Sequence, residues 1–314
     1  MNNNAELPSH TPVLLEESMQ ALALSAGGLY VDATFGRGGH ARAMLQRLDA
    51  AARVIACDRD PEAVAAGLAL AEIDPRFSIH RAPFSRLPAL LKGLGLAGAV
   101  RGLLVDLGVS SPQLDRPERG FGFSAAGPLD MRMDPSTGIS AAAWLETASE
   151  GEIARCLFEL GEERYARRIS RSIVRARSEA PITTTARLAE LVAAAVPTRE
   201  PGKHPATRTF QALRIQINDE LGELRALLAE VCDLLATGGR LAVISFHSLE
   251  DRIVKRFIRG ESQGVQPPRS VPVRAREMTR RLRPVAGPIR PSPAEVEANP
   301  RSRSAVLRVA ERLE

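Results

Sequence analysis

Cysteine is scarce in this chain of 314 residues, which holds only Cys57, Cys156 and Cys232. The three lie far apart, with no C-x-x-C pair and no cluster with histidine, so the sequence argues against a disulfide framework and a structural zinc site. Long apolar runs are absent too, since none approaches the roughly 20 residues that span a bilayer. Residues 1–6 are polar and lack the basic-then-apolar pattern of a secretory signal. These absences predict a reduced, cytoplasmic protein with no metal site and no membrane association.

Positive charge is unevenly distributed along the chain. The formal net charge is +5 and the isoelectric point about 9.6. Residues 251–314 carry 15 Lys and Arg against 7 Asp and Glu, whereas residues 1–250 carry 27 against 30. A basic C-terminal region on a near-neutral body favours a polyanionic partner. An Arg-rich composition alone would also produce this excess, so charge by itself does not decide the partner.

Short apolar runs of strand length alternate with helical patterns, which predicts an α/β fold with a parallel sheet covered on both faces. The predicted strands are residues 28–32, 53–57, 77–81, 102–106 and 239–246. A further run, residues 305–310, follows a proline-rich stretch (266–300) that we expect to be extended and mobile without a partner. This last strand could pair antiparallel with residues 241–246, an arrangement typical of methyltransferases and less so of dehydrogenases.

The segment between the fourth and fifth predicted strands has a different character. Residues 114–135 are a Gly/Pro-containing loop, too long for a simple connection. Four helical patterns follow, at residues 140–145, 150–160, 162–177 and 184–195. We therefore expect a helical domain inserted into the sheet domain and closing around residues 198–205.

The third of these helices, residues 162–177, has two contrasting faces. Tyr165, Ile169 and Ile173 form an apolar stripe at helical spacing. Another face carries only arginine, at Arg164, Arg167, Arg168, Arg171 and Arg175. Contact with phosphates is one interpretation, and an ordinary solvated helix is the other.

The most informative segment is residues 30–40, where an apolar run ends in Asp32 and a glycine-rich turn leads into a helical pattern. We call residues 33–40 the glycine loop. A strand, a glycine loop and a helix in this order form nucleoside pockets, because glycine lets the backbone approach the ligand and the helix start offers unpaired N–H groups. The next strand is followed by Asp58, whose carboxylate can accept hydrogen bonds from both ribose hydroxyls. The Gly36-x-Gly38 spacing also fits a dinucleotide-binding domain, so an NAD-dependent dehydrogenase remains an alternative.

The fourth strand ends in Asp106 and runs into the turn Ser110-Ser111-Pro112-Gln113. In a parallel sheet this places Asp106 at the same edge as the glycine loop and Asp58. An amine attached to an aromatic ring is a poor nucleophile, because its lone pair is delocalised into the ring. Two acceptors on its N–H groups localise that lone pair, and Asp106, Ser110, Ser111 and the carbonyls of the turn are available. The alternative is that the Ser-Pro pair only shapes a turn.

Two ring-bearing side chains near this edge also have two interpretations each. Phe84 follows the third strand and either stacks on an adenine or packs in the core. His247 follows the fifth strand, before a helix with Ser248 as its predicted N-cap, and is either an acid–base or orienting group or a structural hydrogen-bonding group. The glycine loop lacks the Gly-Lys-Ser/Thr ending of a P-loop, which argues against ATP hydrolysis.

Several longer motifs resemble those of one known family, the MraW methyltransferases of bacteria. Besides the glycine loop and residues 106–113, they are residues 10–15, 119–121, 127–134, 204–213, 245–257 and 299–308. Together they span nearly the whole chain. One departure is Gly122, where the family pattern has serine, and it falls in a loop outside the cofactor positions.

The resemblance implies a Rossmann-like class I S-adenosylmethionine-dependent methyltransferase sheet with an inserted helical domain. Residues 1–113 and 206–314 would form the methyltransferase domain, and residues 114–205 the substrate-recognition domain. The implied reaction is N4-methylation of a cytidine in the decoding centre of 16S rRNA, within the small ribosomal subunit, with S-adenosylmethionine as methyl donor. The implied cofactor-binding residues are Gly38, Gly39, His40, Asp58, Phe84, Asp106 and Gln113. As catalytic residues, Asp106, Ser110 and Ser111 remain a hypothesis.

Two rival functions can be separated from this one. An NAD-dependent dehydrogenase is disfavoured by the reversed final strand and by the lack of a clear acid–base group for hydride transfer. An RNA-binding or assembly factor with a vestigial pocket is disfavoured because the glycine loop, Asp58 and Asp106 are all intact. The sequence does not determine the oligomeric state, and a homodimer is one possibility.

Overall fold

The computed structural model describes residues 12–198, 202, 204–264 and 280–314. Parts of the predicted motif at residues 10–15, of the proline-rich stretch and of the segment 198–205 lie outside these described residues. The strands within them are β1 (Leu29–Asp32), β2 (Arg53–Asp58), β3 (Phe77–Arg81), β4 (Val100–Asp106), β5 (Leu235–Ser245), β6 (Leu282–Pro284) and β7 (Val306–Arg312). The helices are α1 (Leu15–Leu22), α2 (Gly39–Arg47), α3 (Pro61–Ile73), α4 (Leu87–Gly93), α5 (Ser111–Asp115), α6 (Ala141–Thr147), α7 (Glu150–Gly161), α8 (Ala166–Glu179), α9 (Thr185–Ala195), α10 (Thr207–Asn218), α11 (Glu220–Leu234), α12 (Ser248–Gln263) and α13 (Pro293–Ala298). Among the described helices, none combines the length and the apolar character that crossing a membrane requires.

The chain divides into two compact units. The first unit comprises Met1–Gly108 and Gly222–Glu314, and the second unit comprises Val109–Leu221. The predicted inserted segment, residues 114–205, is shorter than the second unit, which also includes α5 and α10. Helix α10 packs against α7 and α6, because its Phe210 and Leu213 are buried in the helical core.

The first unit is built on one seven-stranded sheet with the order β3-β2-β1-β4-β5-β7-β6. Strands β1 to β5 pair in parallel, and β7 pairs antiparallel with both β5 and β6. A parallel sheet with a reversed β7 inserted beside β5 is the predicted Rossmann-like methyltransferase arrangement, so the predicted fold class is confirmed. The order also places the C-terminal ends of β1, β2 and β4 side by side.

Alternate residues of the strands enter two separate cores, one on each face of the sheet. Tyr30, Ala56 and Leu104 belong to the core covered by α1, α2 and α3. Val31 and Val105 belong to the core covered by α4, α11 and α12. The period of two along each strand explains why these segments are apolar at nearly every position.

The region before β7 differs from the prediction. We expected the proline-rich stretch to be extended and mobile, and for its described part that prediction is wrong. Leu282–Pro284 form β6, and Pro293–Ala298 form α13, which is capped by the Ser292 side chain. The Leu14 N–H donates to Glu295 Oε1 at 2.7 Å, and Ile289 pairs with Leu307 of β7. Tertiary contacts therefore give regular structure to a segment whose composition predicts no regular structure.

The second unit has its own core of buried apolar side chains from α6 to α10, including Leu145, Ile153 and Leu188. Helix α8 begins at Ala166, not at the predicted residue 162. Glu162 ends the preceding helix with a φ of 49°, and the Glu163 side chain accepts from the Tyr165 N–H at 2.8 Å. The chain turns between these residues, and a continuous helix is not formed there.

Candidate functional site

The glycine loop follows β1 directly and leads into α2. Gly36 and Gly38 have φ values of 55° and 78°, the left-handed region that glycine adopts most readily. A Cβ atom on Gly38 would lie 2.4 Å from the Phe35 ring, and one on Gly39 would lie 2.2 Å from Pro12 Cγ. The loop therefore accommodates no side chain at either position. Its compactness leaves the first N–H groups of α2 at the edge of the sheet.

Asp58, at the end of β2, holds the loop in place. Its Oδ2 accepts from the Gly36 N–H at 2.7 Å, and its Oδ1 accepts from the Asp60 N–H at 2.9 Å. Each carboxylate oxygen has a second lone pair, so these contacts leave acceptor capacity for a ligand hydroxyl. Burial raises the pKa of Asp58 to about 6. The predicted ribose residue thus also fixes the shape of the glycine loop.

Asp32, the last residue of β1, was not among the predicted site residues, yet the structure places it at the same edge. Its side chain is 1% exposed, and its Oδ1 accepts from the Thr34 N–H at 3.2 Å. Burial raises the pKa of Asp32 to about 7, and the Asp58 charge acts in the same direction, against the N–H groups of Thr34 and Ala41. The sequence signal was present: a carboxylate directly before the glycine loop, where an apolar run ends.

Asp106 is connected to Asp32 through Thr34. The Asp106 N–H donates to Thr34 Oγ1 at 2.7 Å, so the start of the glycine loop is tied to the end of β4. In the sheet register Asp32 lies beside Leu104, two residues before Asp106, and beside Ala56, two residues before Asp58. Burial raises the pKa of Asp106 well above its usual range, with Asp32 and then Glu250 adding to the effect.

His40 lies in the first turn of α2 and contacts Asp106. Its Nδ1 is 3.6 Å from Asp106 Oδ2, and its Nε2 is 3.2 Å from the Val13 carbonyl oxygen. Burial lowers the pKa of His40 to about 4, so the ring is neutral near pH 7. A carbonyl only accepts, which assigns the ring proton to Nε2 and leaves Nδ1 as an acceptor. A protonated Asp106 can donate to that nitrogen, and the pair is then a contact between neutral groups.

The edge formed by Asp32, Asp58 and Asp106 is acidic and uncompensated. Within the described part of the chain, none of the three forms an ion pair with lysine or arginine. Asp32 Oδ2 and Asp106 Oδ1 are buried and have no hydrogen-bond partner there. Buried polar atoms without partners are rare, and two of them lie together among the carboxyls at these strand ends. A ligand with positive charge near the strand ends and hydroxyls near Asp58 fits this arrangement.

Phe84 follows β3, which pairs with β2, and Asp58 at the end of β2 lies opposite Arg81 at the end of β3. The Ala82 N–H donates to the Asp58 carbonyl oxygen at 3.0 Å, and Phe84 opens a short 3₁₀ turn two residues later. The ring is half-buried and packs against the core that contains Leu87. The ring thus packs partly against the core and is partly exposed. Stacking of the exposed part on the adenine of a cofactor stays a prediction.

Ser110, Ser111 and Gln113 belong to the second unit. Ser110 is the N-cap of α5, and its N–H donates to Gln113 Oε1 at 2.9 Å in a capping box. This capping fixes the turn that follows β4 and accounts for the burial of Gln113, which is 5% exposed. Their predicted contacts with cofactor and substrate stay predictions.

A buried polar network in the second unit organises the loop that contains residues 127–134. Asn218 donates to the Met131 carbonyl oxygen at 2.8 Å and accepts from the Met133 N–H at 2.8 Å. Arg119 donates to the Met133 carbonyl oxygen at 2.9 Å. Met131 is fully buried with a φ of 64°, a strained conformation that the surrounding hydrogen bonds help to hold. The long loop predicted at residues 114–135 therefore has a fixed shape.

His247 is the N-cap of α12, so the predicted N-cap at Ser248 is wrong by one residue. The Glu250 nitrogen donates to His247 Nδ1 at 3.5 Å, and Glu250 Oε2 accepts from the His247 N–H at 3.3 Å and from the Phe246 N–H at 2.8 Å. This reciprocal capping satisfies the Glu250 N–H of the first turn and the His247 N–H before it. The structural interpretation of His247 accounts for these contacts.

The comparison with known proteins extends over nearly the whole chain. A sequence profile of the MraW methylase family matches residues 8–313. The chain is 57% identical over 307 residues to the ribosomal RNA small subunit methyltransferase H of Thiobacillus denitrificans, covering 98% of each chain. It is 54% identical over 308 residues to the protein of that name from Pseudoalteromonas atlantica, covering 98% of this chain and 99% of the other. A solved rRNA methylase from Streptococcus thermophilus is 11% identical, covers 98% of this chain and 99% of its own, and has a TM-score of 0.41, too low to add to the strand order.

Proposed function

Because this chain belongs to the MraW methylase family, we propose that it methylates N4 of a cytidine in the decoding centre of 16S rRNA. The membership confirms the resemblance predicted from the sequence, and S-adenosylmethionine is the cofactor of such an enzyme. Two relatives that are more than half identical to the chain are named for the small-subunit rRNA, which supports the substrate. We propose cytosine 1402, in the family's usual rRNA nomenclature, as the target.

The acidic edge of the first unit is the observation that carries the proposal. S-adenosylmethionine bears a positive sulfonium and a positive ammonium, whereas its product S-adenosylhomocysteine has lost the sulfonium charge. When ionised, Asp32, Asp58 and Asp106 supply buried negative charge that no lysine or arginine of the described chain balances. When protonated, each can release its proton as a cation binds. A cationic ligand lowers the pKa of each carboxyl and ionises it. The site thus favours the methyl donor over the demethylated product.

We assign the parts of the cofactor as the resemblance implies. Gly38, Gly39 and His40 at the start of α2 would hold the methionine part, whose carboxylate suits the unpaired N–H groups of a helix N-terminus. Asp58 would bind the ribose and Phe84 the adenine. Asp106 and Gln113 complete the set. When bound, the cofactor supplies an electrophilic methyl group.

For the cytosine amine we propose Asp106, Ser110 and Ser111 as hydrogen-bond acceptors. An ionised Asp106 is a stronger acceptor for the amine than a protonated one, and positive charge bound beside it lowers its raised pKa. The acceptors draw the nitrogen lone pair out of the ring and orient it towards the methyl group, which increases the rate by positioning. A target base held outside the helical stack is required for such access.

The experiment that tests the function is methyl transfer to small ribosomal subunits. Purified protein, labelled S-adenosylmethionine and subunits from cells lacking the protein should yield N4-methylcytidine at one decoding-centre position, identified by nuclease digestion and mass spectrometry. Asp106→Ala should lower turnover at saturating cofactor, since it removes one acceptor. Methylation of another atom or another RNA would contradict the proposal.

Binding measurements together with the methyl-transfer assay separate the two rival functions. Calorimetric binding of NAD in preference to S-adenosylmethionine would favour the dehydrogenase, which the reversed β7 disfavours. Tight binding of rRNA without any methyl transfer would favour an assembly factor. We also propose that the second unit recognises the RNA, as predicted for the inserted domain.

A further inference from the structure

The second unit presents a row of arginines that the proposed reaction leaves without a role. Helix α8 exposes Arg167, Arg168, Arg171 and Arg175, which we call the arginine face. With 3.6 residues per turn they fall within an arc of about 100° on the helix. Ile169 and Ile173 lie outside that arc and are fully buried. The arginine face is therefore the side of α8 that is turned away from the helical core.

The unit as a whole does not carry this charge. Residues 109–221 contain 15 Lys and Arg and 15 Asp and Glu, so the unit is formally neutral. The neighbouring α7 exposes three acidic residues, Glu150, Glu152 and Glu159, and one basic residue, Arg155. Positive charge is thus concentrated on one helix face of a neutral unit, which an Arg-rich composition does not explain.

The arginine face is weakly paired within the protein. Arg171 lies 3.8 Å from Glu150, and Arg175 lies 4.0 Å from Glu179, at the limit of an ion pair. The two arginine side chains are 74% and 86% exposed. The side chains of Arg167 and Arg168 form no ion pair with any residue that the structure describes. Exposed pairs of this kind contribute little to stability, so the arginines are available to a partner.

An exposed aromatic ring lies on α7, the helix that packs against α8. The ring is that of Phe158, which is 66% exposed. The contact of Glu150 with Arg171, together with the short connection after Gly161, makes the two helices antiparallel neighbours. Phe158 lies about two turns further along α7 than Glu150, towards the end of α8 that carries Arg167 and Arg168. Arginines beside an exposed ring are the combination that binds unpaired nucleic acid, with phosphates on the arginines and a base on the ring.

We propose that the arginine face and Phe158 bind an unpaired segment of the RNA substrate. The proposal rests on the proposed function, because it takes the rRNA as the ligand. The arginines contact phosphates and set the salt dependence of binding, whereas Phe158 stacks on one base. An unpaired segment is required, since base faces within a helix are already stacked.

Two variants separate the two contributions. Arg167→Gln/Arg168→Gln should weaken binding of a fluorescent single-stranded 16S rRNA fragment and reduce the slope of log affinity against log salt by about 1.4, or about 0.7 per phosphate. Phe158→Ala should lower the affinity about 10-fold and leave the slope unchanged, because stacking releases no counterions. The matched control is Arg101→Gln/Arg225→Gln, which removes the same charge from two exposed positions of the first unit.

The outcomes distinguish this surface from the catalytic proposal. Circular dichroism and S-adenosylmethionine affinity should be unchanged in all three variants, so lost RNA binding is not lost folding. RNA binding by both α7–α8 variants equal to that of the control would overturn the inference, even if wild-type protein methylates the cytidine. Normal RNA binding with reduced binding to whole small subunits would also overturn it and point to a ribosomal protein. A wild-type protein that binds RNA through this surface but transfers no methyl group would refute the function and leave the surface standing.

Discussion

Asp32 shows how one buried side chain couples stability to function. Its carboxyl is almost fully buried, accepts a hydrogen bond from the Thr34 N–H and has one oxygen without a partner among the described residues. Burial raises its pKa from 3.8 to about 7. The folded state therefore binds a proton that the unfolded chain has already released, over the interval between these two values. Its free energy of unfolding falls as the pH rises from about 4 to about 7. Asp58, with a pKa of about 6, acts in the same direction.

We expect Asp32→Asn to stabilise the cofactor-free protein at pH 8 by on the order of 2 kcal/mol and by less than half as much at pH 5, where the folded state still keeps the proton. Asparagine keeps an acceptor for the Thr34 N–H and cannot ionise. Urea denaturation at the two pH values measures the difference. The same variant should bind S-adenosylmethionine more weakly, because it lacks the negative charge that a cationic ligand favours.

Asp74 offers a control of opposite sign. Its hydrogen bond from Arg76 lowers the pKa of the Asp74 carboxyl, so ionisation favours the folded state at neutral pH. Asp74→Asn should therefore lower the free energy of unfolding at pH 8. Equal effects of the two substitutions at pH 8 would show that burial at Asp32 has no such consequence.

At the scale of elements, the glycine loop depends on two separate constraints at Gly38. Its φ is 78°, and a Cβ atom would lie 2.4 Å from the Phe35 ring. Gly98 has nearly the same φ, 76°, but has no neighbouring atom within 4 Å of its would-be Cβ. The two positions therefore separate backbone strain from steric clash.

We expect Gly98→Ala to cost about 1 kcal/mol of unfolding free energy through backbone strain alone. Gly38→Ala should cost at least about 2 kcal/mol more, because the Phe35 ring must move as well. Denaturant unfolding measures both, and calorimetry should show loss of S-adenosylmethionine binding only for Gly38→Ala. A Gly38→Ala protein with normal cofactor affinity would show that the loop tolerates a side chain.

Much of the sheet could be predicted from the sequence, because β1, β2, β4 and the second half of β5 are apolar runs buried on both faces, whereas the edge strand β3 has only Phe77 buried. Strand β6 could not be predicted, because it has only three residues, Leu282–Pro284, and only Leu282 is buried. These residues form a strand because they pair with β7. The start of α8 was predicted four residues early, because the left-handed turn at Glu162 has no distinctive residue type. Among the site residues, Asp58 and Asp106 were recognised by their strand-end positions. Asp32 has the same position, but its burial and its missing partner are properties of the folded chain.

The whole molecule joins a discontinuous unit to a contiguous one. The family membership covers both, whereas the cytoplasmic location, the homodimer and the recognition role of the second unit stay predictions. The second unit contains its complete core within Val109–Leu221. The sheet of the first unit is complete only when β5 has paired with β4 and β7 with β5.

We therefore expect residues 109–221, produced alone, to fold cooperatively. The single tryptophan, Trp144, packs against the core of this unit and reports its folding by fluorescence. Residues 1–108 produced alone should not fold, because β4 lacks β5 and the core on one face lacks α11 and α12. A non-cooperative thermal transition of the 109–221 fragment would contradict this expectation.

The position of β7 has a consequence for synthesis. Translation completes the second unit at Leu221, before β5 begins at Leu235 and well before β7 begins at Val306. During that interval the nascent chain carries β1 to β4 with the β4 edge unpaired. An exposed edge of a parallel sheet can pair with another chain and aggregate. We therefore expect the nascent chain to be most prone to aggregation while residues 235–312 are being synthesised.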